Sequence, residues 1–153
     1  MHAEPESWLV YLAGEIHSSW REEIIEGAEQ ANLPVEFCAP VTDHDASDLV
    51  GEKILGGEEQ AFWRDHKGAS INAIRTRTLI EKADLVVVRF GPKYRQWNAA
   101  FDAGFAAALG TPFITLHDSE HDHALKEINA AANASCRTTA QVVEILRYVL
   151  RQP

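Results

Sequence analysis

In the stretch GPKYRQWNAAFDAGFAAALG, Gly91 to Gly110, Asn98 and Asp102 stand one turn apart near the start of an alanine-rich helix. That spacing puts an amide and a carboxylate on one edge. In a partly dry crevice such a carboxylate can act as a nucleophile, as a general base or as an anchor for sugar hydroxyls. The bland alternative is an exposed acid favoured by the positive end of the helix. Trp97, Phe101, Gly104, Phe105 and Ala108 form the neighbouring stripe. Its periodicity predicts burial against a sheet, with Gly104 permitting close backbone approach.

Other polar groups cluster elsewhere. The segment TDHDASD holds Asp43, His44, Asp45 and Asp48. Carboxylates mixed with imidazole suit several divalent cations, but the spacing matches no metal motif, and Asp and Ser also form ordinary loops and caps. Hydrogen bonding to a substrate is the preferred functional reading here, so neither a metal nor a cofactor is expected. Gly14 and Glu15 open a loop in which His17 either bonds a ligand or caps the turn beside Ser18 and Ser19. Arg64 and Asp65, with Arg75 and Arg77 beyond, offer an Arg–carboxylate pair that can orient a phosphate; surface ion pairing is the ordinary alternative. Trp63 and Trp97 suit a core or the face of a base, and the core is the expected place for each. No Walker A, GxGxxG, GxSxG or HExxH pattern is present.

The elements that position these groups alternate. SWLVYLA, Ser7 to Ala13, reads as a buried strand ended by Gly14. Ser19 and Glu22 form a capping box for a helix that places Trp20, Ile24, Ile25, Ala28 and Ala31 on one face. VEFCAP is a short second strand. The segment from Val41 to Ser70 is long and polar, with short helices at most. A helix from about Ser70 to Lys82 leads into the strongest strand, ADLVVVRF; the helix carrying Asn98 and Asp102 comes next, and then the strand PFITL. A weak strand near ASCR precedes a helix opened by Thr138 and Gln141, with Val142, Val143, Leu146, Val149 and Leu150 on one stripe. Strands alternating with helices predict a parallel sheet covered on both faces. The expected architecture is α/β: one domain over residues 1–153, a three-layer flavodoxin-like sandwich with a five-stranded parallel sheet in the order 2-1-3-4-5. In that order ligands bind at the carboxyl ends of the first and third strands. The loops there are GEIHSSW and GPKYRQWN.

The chain has 153 residues and 46% hydrophobic content, enough for one real core. Its formal charge of −9 disfavours nucleic acid polymers and anionic membranes as partners. The opening MHAEPESW lacks the features of a signal peptide and no apolar run spans a bilayer, so a cytoplasmic location is expected. Cys38 and Cys136 form no metal spacing and read as small buried apolar residues.

The stretches VYLAGEIHSSWREEI, TDHDASDLVGEKILG and INAIRTRTLIEKADLVVVRFGPKYRQWNAAFDAGFAAALG together resemble the YtoQ family of small bacterial proteins. The resemblance covers nearly the whole chain. It extends to the nucleoside 2-deoxyribosyltransferase superfamily, which includes deoxynucleotide N-hydrolases. It implies a flavodoxin-like fold and homo-oligomers, often dimers, whose sites can borrow residues from a neighbour. Tyr11 to Gly14 reproduce the superfamily's YLAG-like strand end. The superfamily's nucleophilic Glu, two residues before a Gly, corresponds to Asp102 before Gly104. Asn98 falls where Ser or Thr is common, while Gln96 and Thr76 stand where the superfamily has acids. The expected function is an enzyme acting on the N-glycosidic bond of a nucleoside- or nucleotide-like ligand. Asp102 is its nucleophile or sugar anchor and Asn98 fixes the sugar or phosphate; Gly14, Glu15, His17, Asp43, His44, Asp45, Arg64, Asp65, Gly91 and Trp97 are expected around the ligand. A non-catalytic nucleotide or metabolite binder is the alternative, followed by a metal-dependent hydrolase.

Overall fold

A computed structural model describes residues 6–151; the start of the opening segment read above for a signal peptide, residues 1–5, lies outside them, as do residues 152–153. The sheet contains β1 (Trp8–Gly14), β2 (Val35–Cys38), β3 (Leu85–Phe90), β4 (Phe113–His117) and β5 (Ala134–Cys136). All pairings are parallel, in the order β2-β1-β3-β4-β5. The expected sandwich and strand order are therefore observed. Parallel neighbours need crossovers, and helices on both faces bury the strands from both sides, hence the unbroken apolar run of β3.

Each strand sends alternate side chains to opposite faces. Val10, Leu12, Val87, Ile114 and Leu116 pack beneath α1 (Trp20–Gln30) and α6 (Thr139–Val149), the latter following the short α5 (Lys126–Ala131) and β5. Tyr11, Ala13, Val86, Val88, Phe90 and Phe113 face α3 (Ala61–Lys82) and α4 (Trp97–Leu109). Thr138 caps α6 by accepting from the Gln141 amide, and Gln141 returns the bond, as its spacing predicts. Thr138→Ala is expected to lower stability by about 1 kcal/mol, read from the denaturant midpoint. On the α6 stripe Val149 faces solvent while Val142, Val143, Leu146 and Leu150 are buried.

Three local expectations are overturned. Ser19 does open α1, but its side chain makes no capping bond; its hydroxyl reaches the Glu23 carboxylate at 3.3 Å. The long polar segment is a helical hairpin of α2 (His44–Leu55) and α3, and α3 begins nine residues before Ser70. Those helices meet at Gly51 and Gly68, so closely that a Cβ on Gly51 would lie 2.8 Å from the Gly68 amide nitrogen. Asn72 ties them by donating to the carbonyls of Ser47 and Gly68. Contacts made through glycine and amide leave no apolar period to read.

The third correction concerns α4. Its buried residues are Ala99, Ala103 and Ala106, whereas Trp97 is 72% and Phe101 76% exposed. Gly104 and Ala108 also face outward, and Phe105 is half-buried. Small residues let the helix backbone lie close to the sheet, which turns the larger stripe outward. Asp102 stands at the boundary between these faces.

Candidate active site

Loops that follow β1 and β3 leave the sheet on opposite faces and touch where they part. Gly14, at φ +106, ends β1, and the Glu15 amide donates to the Arg89 carbonyl at 3.1 Å. Glu15 is buried, and its carboxylate accepts from the His17 amide and from the Ser18 hydroxyl, the latter at 2.6 Å. Its carbonyl receives Trp20 Nε1 and Arg21 Nη1, both at 2.7 Å. Arg21 also donates to the carbonyls of Leu12 and Gly14. The β1 loop is thus held from within, with the Glu15 side chain engaged in its own turn.

Gly91 packs against that turn, since a Cβ there would lie 2.5 Å from Glu15 Cγ. Its amide donates to Gln96 Oε1 at 2.9 Å, and its carbonyl contacts His121 Nε2 at 3.2 Å. Gln96, at the position where an acid was expected from the resemblance, therefore closes the loop that starts α4. Across the mouth the exposed ring of His17 lies 4.9 Å from that of Tyr94.

On the α3/α4 side Asp102 sits half-buried, and no hydrogen bond contributes to the shift of its carboxyl. Burial alone pushes its carboxyl up to about 7. The Tyr11 phenol is raised to about 12, first by burial and then by the Asp102 charge. Thr76 on α3 is near enough to oppose that rise, but it forms no bond of acceptable geometry, and the buried Tyr11 hydroxyl has no partner. Half-buried Cys38, at the end of β2, also neighbours the phenol. A basic carboxylate, a phenol and a hydroxyl thus come together on the α3/α4 face of the sheet, beside the middle of β1. Tyr11 was readable only as a strand residue. The available signal was a tyrosine in an aliphatic buried run, where the hydroxyl needs a partner.

The remaining expected residues are dispersed. Asn98 is exposed one turn before Asp102, and Trp97 stands beside it at the start of α4. Asp43 caps α2, accepting from the Ala46 amide at 3.0 Å. His44 pairs with Asp48 at 3.1 Å, and Asp45 is exposed in the first turn. Arg64 pairs with Glu52 inside the α2–α3 hairpin, and Asp65 is exposed beside it. They stand roughly 16–18 Å along α3 from Thr76. Among the described residues no group of three or more His, Cys, Asp or Glu is placed to hold a metal ion, and no helix is long and apolar enough to cross a membrane. Hollows of about 320 Å³ between α2 and α3 and about 400 Å³ between β5 and α6 both lie away from Asp102.

Comparison with known proteins agrees with this placement of the fold. A conserved protein from Enterococcus faecalis V583 superposes with a TM-score of 0.64 at 13% identity, over 94% of this chain and 99% of that one. A 2-deoxyribosyltransferase from Bacillus psychrosaccharolyticus superposes with a TM-score of 0.52 at 17% identity, over 88% and 90%. At these identities the likeness concerns the fold alone. The uncharacterised protein YtoQ of Bacillus subtilis (strain 168) is 45% identical over 142 residues, 93% of this chain and 96% of that protein. The family profile described as nucleoside 2-deoxyribosyltransferase YtoQ matches residues 11–150, and the chain belongs to that family.

Proposed function

We propose that the protein is an enzyme of N-glycosidic bonds, a nucleoside or deoxynucleotide deoxyribosyltransferase or N-hydrolase, with Asp102 as its nucleophile. The observation that supports this most is the half-buried Asp102 carboxyl beside Tyr11, raised to about 7 by burial. Desolvation makes its ionised form a stronger base and nucleophile than a surface Asp. A carboxylate oxygen attacks the anomeric carbon and the bond to the base breaks. The base leaves with the electron pair and takes up a proton. A second base or water then attacks the same carbon, loses a proton, and releases the carboxylate. Asn98 binds the sugar or its phosphate from the neighbouring turn. The working form is a homo-oligomer.

The test is base release from 2′-deoxynucleosides and 2′-deoxynucleotides, followed by chromatography, for wild type and Asp102→Asn. Release by the wild type that falls by at least about 10³-fold in the variant is expected for loss of a nucleophile. Equal turnover by both proteins would remove Asp102 from the chemistry. Thr76 and Gln96, at positions where the superfamily has acids, favour a second reading, a nucleotide-binding protein without turnover. Nucleotides that raise the melting midpoint while no base appears would select it.

A further inference from the structure

The helix that carries Asp102 begins without a side-chain cap. Gln96, the residue before its first turn, makes no capping bond and turns its side chain back to accept from the Gly91 amide at 2.9 Å. A helix end left this way frays unless another contact orders it. Here that contact comes through the other polar group of Gly91, since its carbonyl faces His121 Nε2 at 3.2 Å. A ring nitrogen against a carbonyl must carry the proton, so His121 donates. One glycine thus joins the entrance of α4 to the loop after β4.

That loop is held on both sides of His121. His117, fully buried at the end of β4, turns Nδ1 to the Asp118 carbonyl at 2.8 Å and Nε2 to Asn129 Oδ1 of α5 at 3.1 Å. Ser119–His121 form a single 3₁₀ turn, and the His121 amide donates to the Asp118 carbonyl at 3.1 Å. The next residue, Asp122, accepts from Arg137 twice, Nη1 at 2.7 Å and Nη2 at 2.9 Å. Arg137 directly follows β5, and its Nη1 also lies 3.3 Å from the His117 carbonyl. An exposed ion pair adds little stability, but a two-pronged one fixes direction.

We propose that His121 is a positioning residue for the Asp102 site. It acts through Gly91 and Gln96 on the first turn of α4, and the Asp122–Arg137 pair sets where it stands. The inference rests on the roles given to Asp102 and Asn98 above. Ala99, Ala103 and Ala106 seat the body of α4 on the sheet, so Asp102 keeps its place when the entrance loosens. Asn98, exposed in the first turn, does not. Loss of the His121 contact therefore weakens binding of the sugar or its phosphate and leaves the bond-breaking step near its wild-type rate.

The test combines base-release kinetics on 2′-deoxynucleosides and their 5′-monophosphates with hydrogen exchange of the amides from Gly91 to Asn98. His121→Ala is expected to raise KM at least about tenfold with kcat within about twofold, and to speed exchange at Gly91 and in the first turn of α4. His121→Gln, whose side-chain amide supplies a donor at similar reach, should restore both; a ring that merely filled space would gain nothing from the donor. Asp122→Asn should shift KM in the same direction as His121→Ala. Unchanged exchange in His121→Ala overturns this role alone, as does a fall in kcat with KM unchanged. A wild type that releases no base from any of these compounds overturns the enzyme reading, and the role falls with it.

Discussion

Asp102→Asn is expected to stabilise the fold by about 3 kcal/mol near pH 8, the full effect of the shift discounted for the partial exposure of the residue, and by well under about 1 kcal/mol near pH 4. The carboxyl titrates at about 7 in the folded chain, against an ordinary value of 3.8. Between those values the folded state holds a proton that the unfolded state has released, so wild-type stability falls as pH rises through that window. Below it both states are protonated, and the contribution is fully present. Above it the folded chain carries a charge in a dry position. Asparagine fills the same volume without charge at any pH. Other titrating groups are common to both proteins, so the difference in urea-derived stability isolates this one. Parallel pH profiles would mean that Asp102 is solvated in the folded state. Such a result would also remove the main support for its role as nucleophile. The same substitution is expected to abolish turnover, so stability and activity move in opposite directions at one side chain, as is common for groups held in unfavourable surroundings for catalysis.

Gly14→Ala is expected to have the larger effect on the fold, a loss of at least about 3 kcal/mol. Two penalties coincide at this residue. Its φ of +106 is a conformation that an L side chain rarely adopts, and a Cβ there would run into the Arg89 carbonyl of the neighbouring strand. Relief requires the end of β1 to separate from β3. That movement would release the Glu15 amide from Arg89 and disturb the carbonyls that Arg21 holds. Guanidinium unfolding of the variant measures the loss; a change below about 1 kcal/mol would show that the strand end yields without strain. Gly14 is thus placed at the crevice to shape backbone, which requires no contact with a ligand.

What the sequence makes legible is whatever rests on long apolar periods and topology. The strand runs, the alternation with helices and the turn residues lead to the observed sheet order, and the order indicates the strand end from which the chain enters α4, the helix that carries Asp102. The face of α4 is misread because large apolar side chains are taken as the buried ones. Here alanines make the contact, and the large residues point away. The α2–α3 hairpin is invisible for a related reason, since its contact is made by Gly51, Gly68 and the Asn72 amide. Tyr11 escapes notice because its position in a strand explains its apolar ring but not its hydroxyl. Dispersal of the Asp43 to Asp48 cluster reflects competition from the backbone: Asp43 serves as a cap and His44 turns to Asp48.

The two outer strands carry a further consequence. β2 has four residues and β5 only three. An open row of amides and carbonyls is a template on which another chain can add a strand, and the length of that row sets how well it works. Rows this short give an incoming chain few rungs, so sheets of separate molecules have little tendency to zip together into fibrils.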